Sequence, residues 1–204
     1  MIIGIDLDNT IIQYDTLIYH LAREKDLIPE GFKKNKKEIR DYIRRTLPEG
    51  EIEWQIIQGA IYGGLIHRAE PFDGVRDFLK GCLRERCKVF IISHKTRYAN
   101  YDKTQTDLRE AALNWIGEKL DFSKSGGLIA MNAVRFGSTR QEKVNEIIHL
   151  KCDWFIDDLL ETFLEPGFPL ETRKILFGSD LETPHGDIKV CATWDEIGRS
   201  IFSK

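Results

Sequence analysis

Residues 4–11 read Gly-Ile-Asp-Leu-Asp-Asn-Thr-Ile (GIDLDNTI), and with Met1-Ile2-Ile3 before them they end an apolar run in two carboxylates. Met1 to Ile5 is short, apolar and rich in β-branched side chains, the pattern of a strand buried on both faces. Such a strand gains no stability from ending in Asp6 and Asp8, because desolvating two like charges is costly unless a cation compensates them. Side chains at i and i+2 of a strand share a face, so Asp6 and Asp8 can address one ligand while Leu7 points into the core. The plainer reading, an Asp/Asn/Thr turn after an ordinary strand, stands beside this one until the rest of the chain is weighed.

At 204 residues the chain can hold one substantial core, or a core with a small appended subdomain. Its 42% hydrophobic and 31% charged content is ordinary for a globular protein, and a net charge of −3 gives no global attraction to nucleic acid or to anionic membranes. No basic segment or signal-type apolar stretch precedes the first strand, and no apolar run approaches the length of a membrane span. The expectation is a cytoplasmic, soluble protein with a small-molecule partner and no nucleic acid or membrane. Cys82, Cys87, Cys152 and Cys191 lack the close pairing of a zinc site, which predicts reduced, structural thiols.

From residue 11 to 69 the periodicity is helical. Leu17, Ile18, Leu21 and Ala22 mark one amphipathic face, Ile39, Tyr42, Ile43 and Leu47 a second, and Ile56, Ile57, Ala60, Ile61 and Leu65 a third. Pro29, Gly31, Pro48 and Gly50 punctuate them, and no strand-like alternation is predicted here. From residue 74 helix and strand alternate. A helix over 75–86 leads to Lys88-Val89-Phe90-Ile91-Ile92, a buried strand ending at Ser93, and a helix over 108–120 follows. A weaker strand is predicted at Ala133-Val134-Arg135-Phe136. Ser138 and Thr139 then each head a capping box, with Gln141 and Glu142 at the third helical position, opening a helix through Ile148. Trp154-Phe155-Ile156 forms a strand ending in Asp157-Asp158, Lys174-Ile175-Leu176-Phe177 forms another, and a helix over 195–202 comes last.

This alternation predicts an α/β fold, a parallel sheet with helices on both faces, whose ligand lies beyond the carboxyl ends of the strands. Asp6/Asp8, Ser93 and Asp157/Asp158 all fall at that edge. Carboxylates a few ångströms apart raise one another's pKa and need a cation, and oxygen-only ligands on a rigid frame suit magnesium better than calcium. Such an ion also neutralises a phosphoryl oxygen, so the acids and an anionic substrate can coexist. The Ser93 hydroxyl, the His94 backbone N–H and Lys143, about one turn into its helix, are the donors for that phosphate.

These residues resemble the motifs of the haloacid dehalogenase (HAD) superfamily of phosphotransferases and phosphatases. The first motif, DxDxT, is matched by Asp6-Leu7-Asp8-Asn9-Thr10; the second, a Ser or Thr ending an apolar strand, by Ser93; the lysine by Lys143; and the acidic pair by Asp157-Asp158. Pro71-Phe72-Asp73-Gly74-Val75 also resembles the segment that leads into the core helix before the second motif. The resemblance implies a Rossmann-like HAD core over residues 1–10 and 71–204, and a small all-helical cap over 11–70 that roofs the site and disfavours protein-sized substrates. It implies that Asp6 is the nucleophile and a magnesium ligand, forming an aspartyl-phosphate. Asp8 protonates the leaving oxygen, activates water and lends the metal its backbone carbonyl. Asp157 and Asp158 complete the metal site, and Ser93, His94 and Lys143 hold the phosphate. Lys143 stands only fourteen residues before Asp157, room for one helix, as in deoxyribonucleotidase-like branches. Lys119, Lys124 and Lys151 are its rivals.

The function implied is a magnesium-dependent phosphatase acting on a small phosphorylated metabolite, a sugar phosphate or a nucleotide. A phosphomutase or other phosphotransferase and a 5′-nucleotidase-type specificity are the alternatives. A receiver-type signalling domain shares the acids, the Ser/Thr, the Lys and the magnesium, but it carries an adjacent acidic pair on the first strand and no such cap. A silent binding module would not keep Asp6, Asp8, Ser93 and Asp157 together. His94, Lys95 and Arg97 follow Ser93 and are open to substrate contact or to solvation. His20, His67, His149 and His185 show no ligand spacing, and the basic run Lys33-Lys34-Asn35-Lys36-Lys37 reads as a solvated helix face.

Overall fold

The structure, a computed structural model, describes residues 1–121, 127–178 and 186–203; Lys124 and His185 lie outside the described residues. The chain divides into two compact units, one of Met1–Ile12, Pro71–Lys95 and Ile116–Lys204, the other of Gln13–Glu70 and Thr96–Trp115. After β1 (Ile2–Ile5) the chain leaves the first unit through β2 (Ile12–Gln13) and returns through β3 (Glu70–Pro71), two-residue strands that pair with each other. Between them lie α1 (Asp15–Glu24), α2 (Lys36–Thr46) and α3 (Gly50–Tyr62). The return leads to α4 (Val75–Arg84), β4 (Lys88–His94), α5 (Leu108–Lys119), β5 (Val134–Gly137), α6 (Arg140–Leu150) and β6 (Trp154–Asp157). There follow α7 (Leu160–Phe163), β7 (Arg173–Phe177), β8 (Ile188–Cys191) and α8 (Trp194–Phe202).

In the first unit, six strands form one parallel sheet in the order β5-β4-β1-β6-β7-β8, with helices against it: the α/β, Rossmann-like arrangement expected. Central β1 has neighbours on both sides, which is why its residues are apolar and β-branched without alternation. Register then builds the functional edge. Ile5 aligns with Ile91 of β4 and with Ile156 of β6, so these three strands run out together, and the Asp6 amide donates to the Ile156 carbonyl at 2.9 Å.

Under one face of the sheet Ile92, Phe155 and Leu176 pack with Val144 and Ile147 of α6 and with Phe163 and Phe168. Gly4 faces this cluster, and a Cβ there would lie 2.6 Å from Phe155 Cδ2 and 3.0 Å from Cys152 Sγ. Gly4→Ala is therefore expected to lower stability by about 1–3 kcal/mol through overpacking. Urea unfolding checks this, and an unchanged midpoint would mean that the Phe155 ring yields freely. Elsewhere Trp194 packs against Phe78 and Phe177 at ring-centroid distances of 5.0 and 5.8 Å. Its Nε1–H donates to the Thr10 carbonyl at 3.2 Å, so it anchors the turn after Asp8 as well as the last helix. Burial pushes the Cys82 and Cys152 thiols up to about 12, in keeping with small apolar side chains rather than reactive ones.

In the second unit, α1 to α3 pack through Leu17, Ile18, Leu21 and Ala22, through Ile39 and Ile43, and through Trp54, Ile57 and Ile61, all buried. The segment Thr96–Trp115 belongs to this unit too. Ala99 and Asp102 pack against Gly59, and Trp115 Nε1–H donates to the Ala69 carbonyl at 2.9 Å. Lys33 pairs with Glu38, Arg40 with Asp41 and Arg44 with Glu51, as on a solvated helix face. Strands β2 and β8 and the short α7 depart from the sequence expectation. A two-residue strand has no period to read, and β8 is an edge strand. Among the described residues no helix is long and apolar enough to cross a membrane.

Candidate active site

The site is assembled at the carboxyl edge of the sheet, within the first unit. Beyond β1 the chain turns sharply: the Leu7 carbonyl accepts from the N–H groups of Ile11 and Ile12, both at 3.0 Å, and Asp8 bridges to Ile12. Asn9 takes a left-handed conformation at φ 61°, one that asparagine tolerates better than most residues, which accounts for Asn after the second Asp. Thr10 is buried and its Oγ1 donates to Asp158 Oδ1 at 3.5 Å.

Helix α6 delivers the lysine. Of the two capping boxes in the sequence, the one formed centres on Thr139, whose Oγ1 accepts the Glu142 N–H at 3.1 Å while Glu142 Oε2 accepts the Ser138 N–H at 2.7 Å. Gly137, at the end of β5, lets the helix start so close to the strand: a Cβ there would meet Lys143 N at 2.8 Å. Lys143 then reaches inward, its Nζ donating to Asp6 Oδ1 and to Asp157 Oδ2, each at 2.6 Å, with all three side chains buried. The other Asp157 oxygen accepts the Leu159 N–H at 2.9 Å. Of the two rivals among the described residues, Lys151 is the exposed left-handed residue ending α6, and Lys119 pairs with Glu118.

The electrostatics are unequal. Burial pushes the Asp6 carboxyl up to about 7; Lys143 opposes the rise, while Asp157 and Asp8 add to it. For Lys143, burial works against the charge, yet Asp157 and then Asp6 hold its ammonium above the usual lysine range. One lysine does not balance this many acids. Set against Lys143 and Lys95, the carboxylates of Asp6, Asp8, Asp157 and Asp158 leave two negative charges when all are ionised. Oxygens of Asp6, Asp157 and Asp158 lie within 4.8 Å of one another. An all-oxygen, two-thirds-buried donor set carrying that surplus fits a hard divalent cation.

Ser93, near the end of β4, supplies the second fitting observation. Its hydroxyl is the one buried side-chain oxygen or nitrogen without a hydrogen-bond partner among the described residues. A buried unpaired hydroxyl costs stability unless a ligand uses it, and an oxyanion at this edge would. The His94 ring is exposed, its Nε2 lying 3.1 Å from the Ser138 carbonyl.

Two residues gain a detail that the sequence did not give. The Asp8 carboxylate is not grouped with the three that could hold a metal and is paired with Lys95, Nζ to Oδ2 at 2.7 Å. Lys95, open to substrate contact or to solvation in the sequence reading, is almost fully buried. Its signal was present: Ser93 and Lys95 are two apart at the end of a strand, the spacing that places side chains on one face.

No family model and no curated protein matches the sequence. Solved structures do match. The chain is similar to a candidate phosphoglycolate phosphatase of Lactobacillus delbrueckii subsp. bulgaricus, with a TM-score of 0.59 and 14% identity over 99% of this chain and 98% of that one. It is similar to a HAD-superfamily hydrolase of Ehrlichia chaffeensis, at 0.56 and 14% over 98% and 94%, and to a family IA HAD hydrolase of Entamoeba histolytica, at 0.56 and 10% over 95% and 93%. At such identities the likeness is one of fold, and it runs nearly end to end. The chain has the fold of the HAD-superfamily hydrolases.

Proposed function

We propose, from a fold shared with HAD-superfamily hydrolases and from the charges gathered at its sheet edge, that this chain is a magnesium-dependent phosphatase. Its substrate would be a small phosphorylated metabolite, a sugar phosphate or a nucleotide, in a cytoplasmic setting. The observation that carries the reading is the convergence of Asp6, Lys143, Asp157 and Asp158 beside the unpartnered Ser93 hydroxyl. The carboxylates of Asp6, Asp157 and Asp158 and the Asp8 carbonyl would hold magnesium. The ion, when bound, supplies positive charge against the phosphoryl oxygens.

The protein's own groups do the rest. The Asp6 carboxylate attacks phosphorus, the bond from phosphorus to the leaving oxygen breaks, and an aspartyl-phosphate results. Asp8 hands a proton to the leaving oxygen, releasing an alcohol, and then takes one from the water that attacks the aspartyl-phosphate. Breaking the bond between Asp6 and phosphorus frees inorganic phosphate and restores the carboxylate. Lys143 neutralises Asp6 and Asp157 and gives the phosphate a cation, while the Ser93 hydroxyl and the His94 backbone N–H donate to phosphoryl oxygens.

The test is phosphate release by the purified chain from a panel of sugar phosphates, nucleoside monophosphates and phosphorylated acids; the last are included because one fold neighbour is described as a candidate phosphoglycolate phosphatase. Release from at least one class is expected with magnesium. Chelation with EDTA should lower the rate more than about 100-fold, reversibly, the scale of a metal's contribution to phosphoryl transfer. Release from none of them sinks the reading, and transfer to an added alcohol in place of release would turn it to a phosphotransferase.

A further inference from the structure

Lys95 is the buried cation that the mechanism above does not use. Its side chain is 3% exposed and that of Asp8 16%, and the two meet at 2.7 Å. The lysine is also fixed from behind, because its backbone N–H donates to the Gly137 carbonyl at 2.9 Å, carrying the β4–β5 ladder one residue beyond the pair His94 and Gly137. Lys143 serves Asp6 and Asp157, whereas the ion pair of Lys95 is with Asp8. As a structural device it is poor: two buried charges lose most of their mutual attraction to desolvation, and apolar side chains of similar size stabilise a fold as well or better.

We propose that Lys95 is a positioning residue for Asp8, holding Oδ2 of that carboxylate so that Oδ1 is presented to the oxygen leaving phosphorus. The inference rests on the phosphatase reading and extends it to a residue outside the HAD-type motif set. A carboxyl group that must meet one departing atom works only if its rotamer is fixed, and a misplacement of about 1 Å costs roughly 100-fold in rate. A salt bridge at one oxygen fixes it. In the step itself the proton rides on Oδ1 and passes to the leaving oxygen as its bond to phosphorus breaks. Asp8 is left as a carboxylate with Lys95 still on Oδ2, and it recovers a proton from the attacking water.

The experiment compares two leaving groups with the full chain and magnesium. One substrate is the alkyl phosphate turned over best in the panel, whose oxygen needs a proton to depart; the other is p-nitrophenyl phosphate, whose phenolate departs without one. Lys95→Met is expected to lower kcat on the alkyl phosphate about 100-fold with KM within about threefold, and on p-nitrophenyl phosphate less than about tenfold. In an Asp8→Asn background, adding Lys95→Met should change kcat on the alkyl phosphate by less than about twofold, because a residue acting through Asp8 has nothing left to position. The double variant removes both charges together and strands neither, whereas Asp8→Asn alone leaves the Lys95 ammonium against an amide oxygen. If that variant or Lys95→Met fails to fold, Lys95→Gln takes the place of Lys95→Met and the wild type that of the Asp8→Asn background, with the same outcomes expected on the two leaving groups. Equal losses on both substrates, a raised KM, or a further loss above about tenfold in the Asp8→Asn background would overturn the proposal and make Lys95 a direct phosphate ligand. A wild-type chain inactive on every ester instead overturns the phosphatase reading, and that is seen before any variant is made.

Discussion

Asp6→Asn is expected to fold like the parent and to turn over substrate at least about 10⁴-fold more slowly, the scale of losing a catalytic nucleophile. The substitution keeps shape and removes the attacking oxygen anion. Its structural cost is small for a reason the site itself supplies. Burial already pushes the Asp6 carboxyl up to about 7, so the folded protein without metal favours a neutral group there. The sign follows from linkage. A carboxyl raised in the folded state contributes stability that is complete below its ordinary value of 3.8 and is lost as pH rises through about 7. In EDTA, Asp6→Asn should remove that loss and leave the chain at least as stable as the parent near neutral pH. Kinetics on the best panel substrate and urea unfolding in EDTA check the two halves; turnover within tenfold of the parent would exclude Asp6 as nucleophile.

Lys143→Met acts in the opposite sense. It leaves Asp6 and Asp157 facing each other at the buried centre of the sheet edge with their shared ammonium gone. Removing one partner of a buried ion pair costs about 3–5 kcal/mol, because the remaining charge is stranded. Unfolding in EDTA should show a loss of that size, and magnesium should restore part of it by replacing the missing positive charge. Activity should fall as well, since the same ammonium faces the phosphate. Lys151→Met is the control: that lysine is exposed at the end of the same helix, and its loss should stay within about 0.5 kcal/mol. If the two variants unfold together, Lys143 does not compensate the acids.

The legible parts of this molecule were those where local chemistry contradicts local stability. Carboxylates at the ends of apolar strands are such a contradiction, and Asp6, Asp157 and Ser93 do come together at one edge. Lys143 was legible through its cap, because Thr139 and Glu142 fix where the helix begins and hence which lysine lies on its first turn. Lys95 was hidden because a lysine after a strand looks solvated until its partner is known, and that partner is 87 residues away, at position 8. The membership of Thr96–Trp115 in the helical unit was hidden for a similar reason. Contacts such as Ala99 against Gly59 and Trp115 on the Ala69 carbonyl join distant segments and leave no periodicity in either.

Strand β1 is paired on both sides by segments that lie far along the chain from it. Its partners on one side are residues 88–91 and on the other residues 154–156. The strand has one edge covered once residues 88–91 are in place and the other only with residues 154–156, so no fragment ending before residue 154 can shelter it on both sides. Asp6 and Asp157 are thus brought together only by a long-range pairing, and until it forms the open edge of β1 is a surface on which other chains can add.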